Sequence, residues 1–256
     1  VDLQMYIGGR WTPSSSGETF ESIDPSTGRA WARIPSATTQ DVDAAVGAAR
    51  EAFAKGPWPR MTATERGRVL YRLADVVEKH VEELARIESR DNGKLLREAT
   101  AQVGALPRWL RFYAGLADKV NGQVPPSDFP TVLNYITHEP VGVVAGLVPW
   151  NSPLSLAVWK LAPALAVGNT MVLKPSEVAS ASLLTFCGLI AESGLPPGVL
   201  NVITGYGRDC GLQLVSHPHV AHITFTGGPG TAISIAHAAA DRLTPTTFEL
   251  GGKSAN

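Results

Sequence analysis

Four side chains in this 256-residue sequence carry reactive chemistry at positions that turns and strand ends would expose: Asn151, Lys174, Glu177 and Glu249. Asn151 lies between Pro149 and Pro153, and Lys174-Pro175-Ser176-Glu177 follows an apolar run. An amide, an ammonium and a carboxylate brought to one strand edge form a ligand crevice of the kind open α/β sheets use. Glu249 stands between Phe248 and Leu250, where a carboxylate is costly to bury unless it serves a purpose. Each has a plainer reading as well. Asn151 can be a turn former, and Lys174 can be a surface lysine that buries its stem. Gly205-x-Gly207-x-x-x-Gly211 can be a simple turn, because a glycine trio alone is weak evidence and no G-x-G-x-x-G follows the first strand. Phe225-Thr226-Gly227-Gly228 precedes a helical run, and a helix N-terminus favours a pyrophosphate through its free N–H groups and dipole. His217, His219 and His222 cluster, but Pro218 breaks their spacing and no cysteine or carboxylate completes a shell, so no metal is expected. Cys187 reads as a buried small hydrophobe, and Cys210 falls in the glycine turn.

These residues need elements to hold them. Val141 to Val148 is apolar and β-branched, the mark of a strand buried on both faces of a parallel sheet. A helix is predicted from Leu154 to Val167, ended by Gly168-Asn169, and a strand from Thr170 to Leu173. Further strands are predicted at Leu200 to Thr204, Ala221 to Phe225 and Thr246 to Leu250, with helices at Ala179 to Ser193, Gly211 to Ser216 and Gly230 to Arg242. This alternation predicts an α/β fold with a doubly wound five-stranded parallel sheet. Upstream, residues 3 to 34 read as short strands and turns wrapped on a surface. Helices follow at Asp41 to Lys55, after the Thr62/Glu65 capping box, from Val81 to Arg90, and from Leu95 to about Val120 with a restart at Pro107. The charge-dense stretch Glu78 to Arg97 reads as a solvated face. Thr131 to Thr137 alternates polar and apolar, predicting a strand with one wet face that needs a partner.

Composition narrows the classes. A formal charge of −1 and a pI near 6.7 give no basis for a nucleic-acid surface or an anionic membrane partner. Two cysteines are too few for a disulfide framework, which predicts a reduced, cytoplasmic protein. Pro149, Pro153 and Asn151 argue against a spanning helix in the charge-free stretch Val141 to Trp159, and no secretory signal is recognised at the N-terminus.

PWNSPL, LKPSE, FTGG and FELGGKSAN, in that order and spacing, resemble the successive motifs of the NAD(P)-dependent aldehyde dehydrogenase superfamily, over the whole chain from Tyr6 onward. The resemblance implies a Rossmann-like cofactor-binding half. It divides as an N-terminal part (1–120), an oligomerisation β-arm (121–140), a cofactor-binding core (141–252) and the start of a catalytic domain (253–256). It implies NAD as cofactor, with NADP the alternative, an aldehyde as substrate, a carboxylic acid as product and a homo-oligomer, dimer or tetramer, at full length. Asn151 would donate to the oxyanion and Glu249 would be the general base, a residue the CoA-acylating branch usually lacks. Cofactor contacts would come from Leu147, Pro149, Trp150, Lys174, Ser176, Glu177, Gly207, Gly211, Phe225, Thr226, Gly227, Gly228, Leu250 and Gly251. Within this set Glu177 would hold the adenosine ribose, and Gly207 and Gly211 would let the backbone approach the adenine end. The sequence departs from the family at GGPGTA, where Gly228 replaces the usual serine and Ala232 the usual glycine. The family's catalytic cysteine lies downstream of ELGGKS, so the chain as written is expected to lack the nucleophile and to be inactive alone. The alternative is a noncatalytic NAD-binding or interaction module of the same descent.

Overall fold

A computed structural model describes residues 1–255. The chain opens with a hairpin, β1 (Met5–Ile7) and β2 (Arg10–Thr12), closed by Gly8 and Gly9, both at positive φ. A second hairpin, β3 (Thr19–Asp24) and β4 (Arg29–Pro35), forms a separate two-stranded sheet. The helices α1 (Thr39–Ala54) and α2 (Ala63–Lys79) each start at a full capping box, Thr38/Asp41 and Thr62/Glu65, which satisfies donors that would otherwise be orphaned. Three more helices follow: α3 (Val81–Asn92), α4 (Leu96–Gly104) and α5 (Leu106–Leu116). Pro107 sits in the first turn of α5, where its missing N–H costs nothing, so the long helical pattern is cut there.

The alternating half follows the predicted order: β5 (Val143–Val148), α6 (Pro153–Ala166), β6 (Thr170–Pro175), α7 (Ala181–Ser193) and β7 (Leu200–Val202). It continues with α8 (Leu212–Ser216), β8 (Val220–Gly227), α9 (Pro229–Ala240) and β9 (Thr246–Leu250). These five strands are parallel, in the order β7-β6-β5-β8-β9, the doubly wound arrangement. Alternate residues along the central strands face opposite sides. Val144, Val148, Met171 and Leu173 pack under the layer of α2, α5, α6 and α7, while Val143, Ala145, Leu147 and Val172 pack under α1, α8 and α9. With both faces covered, every residue of β5 and β6 is buried, which is why β5 and the Met171–Leu173 stretch of β6 are continuously apolar.

Four expectations are corrected. The N-terminal strands do not merely wrap a surface: β1 pairs antiparallel with β7, so the sheet has seven strands, and Met5, Tyr6 and Ile7 are buried. Thr131 to Thr137 is not a strand. Its one pairing is an isolated bridge from Ile136 to Gln123. Glu78 to Arg97 is not wholly a solvated face, since Glu88 and Asp91 are buried at 0% and 1% exposure. Finally, Gly207–Gly211 is not a turn before a helix but a π-helical turn in its own right, continuous with α8.

Candidate functional site

The carboxyl ends of β5 and β6 lie side by side in register, Leu147 opposite Lys174 and Val148 opposite Pro175. Each chain then leaves the sheet through a proline-flanked turn, and the two turns place Trp150-Asn151 and Ser176-Glu177 along one edge. Three clefts line that edge. The first, of about 610 Å³, lies among Leu147, Glu177, Gly207, Gly211 and the start of α9 at Gly230 and Thr231. The second, of about 430 Å³, is formed by Trp150, Glu177, Tyr206 and the tip of the β3–β4 hairpin. The third, of about 1420 Å³, collects Pro149, Trp150, Asn151, Thr226, Gly227, Gly228, Glu249, Leu250 and Gly251. Glu177 is common to the first two clefts and Trp150 to the last two, so the three clefts are neighbours along this edge. Volumes in this range hold groups of cofactor size.

Within the groove the named residues differ in character. Lys174 is buried at 4% exposure, which rules out the surface-lysine reading; its ammonium donates to the Pro175 carbonyl at 2.9 Å and lies 3.7 Å from Glu177. Burial lowers its pKa, opposed by the Cys210 thiol and the Glu177 carboxylate beside it. A Cβ at Gly211 would stand 3.5 Å from the Lys174 stem, so the π-helical turn lies directly over this lysine. Glu177 is held at the mouth with its side chain 37% exposed. Ser176 is half-buried, and its carbonyl accepts from Ala179 N and Ser180 Oγ. Phe225 is buried beside Phe248 and lines none of the three clefts, unlike the other residues of its motif; a Cβ at Gly227 would meet the Phe225 ring at 2.4 Å, which explains the glycine. Gly228 caps α9 with no side-chain hydrogen bond, leaving the first N–H groups of that helix open.

Glu249 corrects an expectation. It is exposed, because β9 is the edge strand of the sheet and its carboxylate faces the third cleft, so the burial argument made for it falls. Asn151 is also exposed, and the hydrogen bonds that reach it, from Asn92 and Ser152, end on its backbone carbonyl. Asn151 and Glu249 thus line one cleft from strands at opposite sides of β8.

Lys160 is a member of this cleft that sequence reasoning passed over. It projects from α6 at 8% exposure and donates to Thr226 Oγ1 at 2.8 Å and Thr224 Oγ1 at 3.1 Å. Burial lowers its pKa to about 8, with the Glu249 charge opposing the shift. The available signal was a lone lysine in an otherwise apolar helix. Tyr206, Thr231 and Ser234 were missed for a different reason: Thr231 and Ser234 enter the first cleft where α9 packs against α8, and Tyr206 stands just before the Gly207–Gly211 turn against Phe20.

The thiols are not poised for attack. Cys187 is fully buried, which pushes its pKa far up, and Cys210 is buried and donates to the Tyr206 carbonyl at 3.5 Å, with burial raising its pKa to about 11. The histidine side chains serve local contacts, His217 with Asp43 at 3.4 Å and as acceptor from His219 N at 3.1 Å, His219 with Arg50 at 2.9 Å and His222 with Thr247 at 3.1 Å. Among the described residues no group of three or more His, Cys, Asp or Glu could hold a metal ion, and no helix is long and apolar enough to cross a membrane.

Comparison with known proteins bears directly on this groove. The chain is 50% identical over 252 residues to a (Z)-2-((N-methylformamido)methylene)-5-hydroxybutyrolactone dehydrogenase of Acinetobacter baylyi, covering 98% of this chain and 51% of the relative. It is 46% identical to the mitochondrial aldehyde dehydrogenase family 2 member B4 of Arabidopsis thaliana, covering 98% of this chain and 47% of that protein. The chain therefore spans about half the length of the curated relatives it matches. Its fold matches the NAD+ complex of an aldehyde dehydrogenase from Bacillus cereus with a TM-score of 0.97 at 42% identity, over 100% of this chain and 52% of the other. Residues 11–256 match the model of the aldehyde dehydrogenase family. With the sheet order, the groove at its carboxyl edge and this match in agreement, the chain belongs to the aldehyde dehydrogenase family.

Proposed function

We propose that this chain is the cofactor-binding half of an NAD-dependent aldehyde dehydrogenase, which oxidises an aldehyde to a carboxylic acid. The observation that carries the reading is the row of neighbouring clefts along the carboxyl edge, with the Gly207–Gly211 turn and Glu177 lining the first and Asn151 and Glu249 lining the third. The groove fits a dinucleotide in its donor set. Glu177 offers acceptors to ribose hydroxyls, and the uncapped start of α9 offers N–H groups and the positive end of a helix dipole to a pyrophosphate. A nicotinamide cofactor held in these clefts would supply the hydride acceptor for the substrate carbon being oxidised. Asn151 presents an amide N–H to the carbonyl oxygen as it gains charge, and Glu249 takes a proton from the water whose oxygen enters the acid. The nucleophile that captures the aldehyde is neither Cys187 nor Cys210, both of which are buried and protonated.

A module that binds cofactor without chemistry would need only the first two clefts. The placement of Asn151 and Glu249 together on the third favours the enzyme. Residues 121–140 serve as the assembly arm and residues 253–256 as the entry to the catalytic domain. Titrating NAD and NADP against the protein by fluorescence tests the cofactor assignment. NAD is expected to bind more tightly, because a 2′-phosphate would meet the Glu177 carboxylate, and Glu177→Gln is expected to narrow the gap. Equal or tighter NADP binding by the unaltered protein would overturn the preference. In the full-length protein, Asn151→Ala is expected to lower kcat by about 100- to 1000-fold.

A further inference from the structure

The turn that carries Asn151 is poor in means of holding itself. Pro149 and Pro153 lack N–H groups, and both ends of the turn leave a regular element, β5 behind and α6 ahead. Its support comes from the hinge between α3 and α4, about sixty residues earlier in the chain.

Four side chains of α3, the hinge and α4 reach the turn or the start of α6 behind it. Asn92 Nδ2 donates to the Trp150 carbonyl at 3.2 Å and the Asn151 carbonyl at 3.4 Å. Lys94 Nζ donates to Ser152 Oγ at 2.9 Å, to Glu88 Oε1 at 3.1 Å and to Gln102 Oε1, so all three of its N–H bonds are used. Ser152 Oγ lies 2.8 Å from the Asn151 carbonyl and 3.1 Å from Gln102 Oε1, and gives its single proton to one of them. Glu88, at 0% exposure, accepts from Leu154 N through Oε2 at 3.2 Å, capping the first turn of α6 from outside the helix.

The hinge is itself fixed. Gly93 has φ +79° and ends α3 by donating to the Ser89 carbonyl at 2.9 Å, while a Cβ there would stand 3.1 Å from Pro25. Asn92 Oδ1 accepts from Lys94 N at 3.0 Å, and Ser89 Oγ donates to the Lys94 carbonyl at 2.6 Å. The Asn92 amide is therefore held at both ends, by its own hinge and by the turn it supports. Burying a carboxylate and an ammonium is expensive relative to an apolar pair, so an ion pair kept here points to a demand for geometry more than for stability.

We propose that Asn92 and Lys94, with Glu88 behind them, are positioning residues that set where the Asn151 amide stands. Their bonds end on the carbonyls on either side of the Asn151 Cα and on the next side chain, leaving the Asn151 amide itself free to face the cleft. The catalytic meaning of this clamp rests on the reading of Asn151 as the oxyanion donor. Displacing such a donor by about 1 Å costs up to about 100-fold in rate.

The test uses the full-length protein. Asn92→Asp keeps the acceptor for Lys94 N–H and removes the donor to both carbonyls. It is expected to lower kcat by between about 10- and 100-fold with KM for NAD unchanged. Combined with Asn151→Ala it is expected to add nothing to the loss from Asn151→Ala alone, because it acts through that residue. Wild-type kcat in Asn92→Asp, or losses that multiply in the double variant, would overturn the proposal, and a parallel rise in KM for NAD would show a general structural effect instead. Should Asn92→Asp fail to fold, Asn92→Ala and the paired neutral variant Glu88→Gln/Lys94→Met take its place under the same criteria. Hydrogen exchange separates this from failure of the oxyanion reading. Full turnover in Asn151→Ala would end that reading, and unchanged protection of the Leu154 amide in Glu88→Gln would end the clamp. Faster Leu154 exchange together with the kcat loss and its absorption by Asn151→Ala supports it.

Discussion

Asp91 and Lys160 show how burial sets the chemistry of single groups in this protein. Asp91 accepts from Ser22 Oγ at 2.5 Å and Ala181 N at 2.8 Å, both of which favour its charged form, yet loss of solvent wins and its pKa rises to about 6. An acid whose folded pKa stands above its unfolded 3.8 holds its proton more tightly when folded. Its contribution is thus complete below about pH 4 and is lost as the pH rises through 6, a difference on the order of 3 kcal/mol. Glu88 shifts in the same direction, so the comparison must be made between variants. Urea midpoints between pH 4.5 and 7.5 are expected to fall more steeply for the unaltered protein than for Asp91→Asn; equal slopes would refute the assignment. Lys160 behaves in the opposite sense. Its folded pKa of about 8 is below the ordinary 10.5, so the unfolded chain binds more protons between these values and stability rises with pH across that window. Lys160→Met is expected to flatten the rise.

At the scale of elements, the local sequence and the tertiary contacts share the work unequally. The start of α2 is local. Thr62 Oγ1 accepts from Glu65 N at 3.2 Å and Glu65 accepts from Thr62 N at 2.7 Å, on an exposed surface that adds little else. Thr62→Ala is expected to destabilise by about 1 kcal/mol, read from thermal melting. The segment 121–140 is the reverse case. Val124, Phe129, Leu133 and Tyr135 are exposed at 72%, 70%, 76% and 64%, and its backbone pairs only through the Gln123–Ile136 bridge. An apolar ribbon with free edges calls for a partner strand. Sedimentation of the full-length protein with Leu133→Lys and Tyr135→Lys is expected to show smaller species, and an unchanged assembly would remove the arm from this role.

At the scale of the whole molecule, the uneven cover of the sheet matters most. Its β7 side is closed by the β1–β2 hairpin, while β9, on the other edge, carries an exposed Leu250 and Glu249. Next to the third cleft, Trp159 and Phe112 are exposed at 48% and 53% and join Trp109 in an aromatic group. A face this apolar around the cleft that holds Asn151 suits a covering domain. A protein limited to residues 1–256 is accordingly expected to bind NAD weakly and to form no NADH from a panel of aldehydes, monitored at 340 nm. Turnover abolished by Cys210→Ser would show that the buried thiol is reached after all.

Much of this was legible in the residues themselves. The continuous apolar run of β5, the apolar Met171–Leu173 of β6, the Thr62/Glu65 box and the Gly168-Asn169 stop are local signals, because a strand buried on both faces and a helix cap each write their requirement into adjacent positions. The same holds for Asn151, Lys174 and Glu177, which stand at strand ends that prolines mark. Other features have no local trace. Nothing near Met5 announces that β1 will close the sheet against β7, since strand pairing across some two hundred residues depends on which edge is left open. The charges of Glu88 and Asp91 look like any solvated helix face until α6 and α7 pack over them and present N–H groups to their carboxylates. Glu249 looked buried by its neighbours and is exposed by its place on the edge strand. Period and punctuation in a sequence determine which elements form and where they stop; which polar groups meet, and which are stripped of water, is decided only when those elements close on one another.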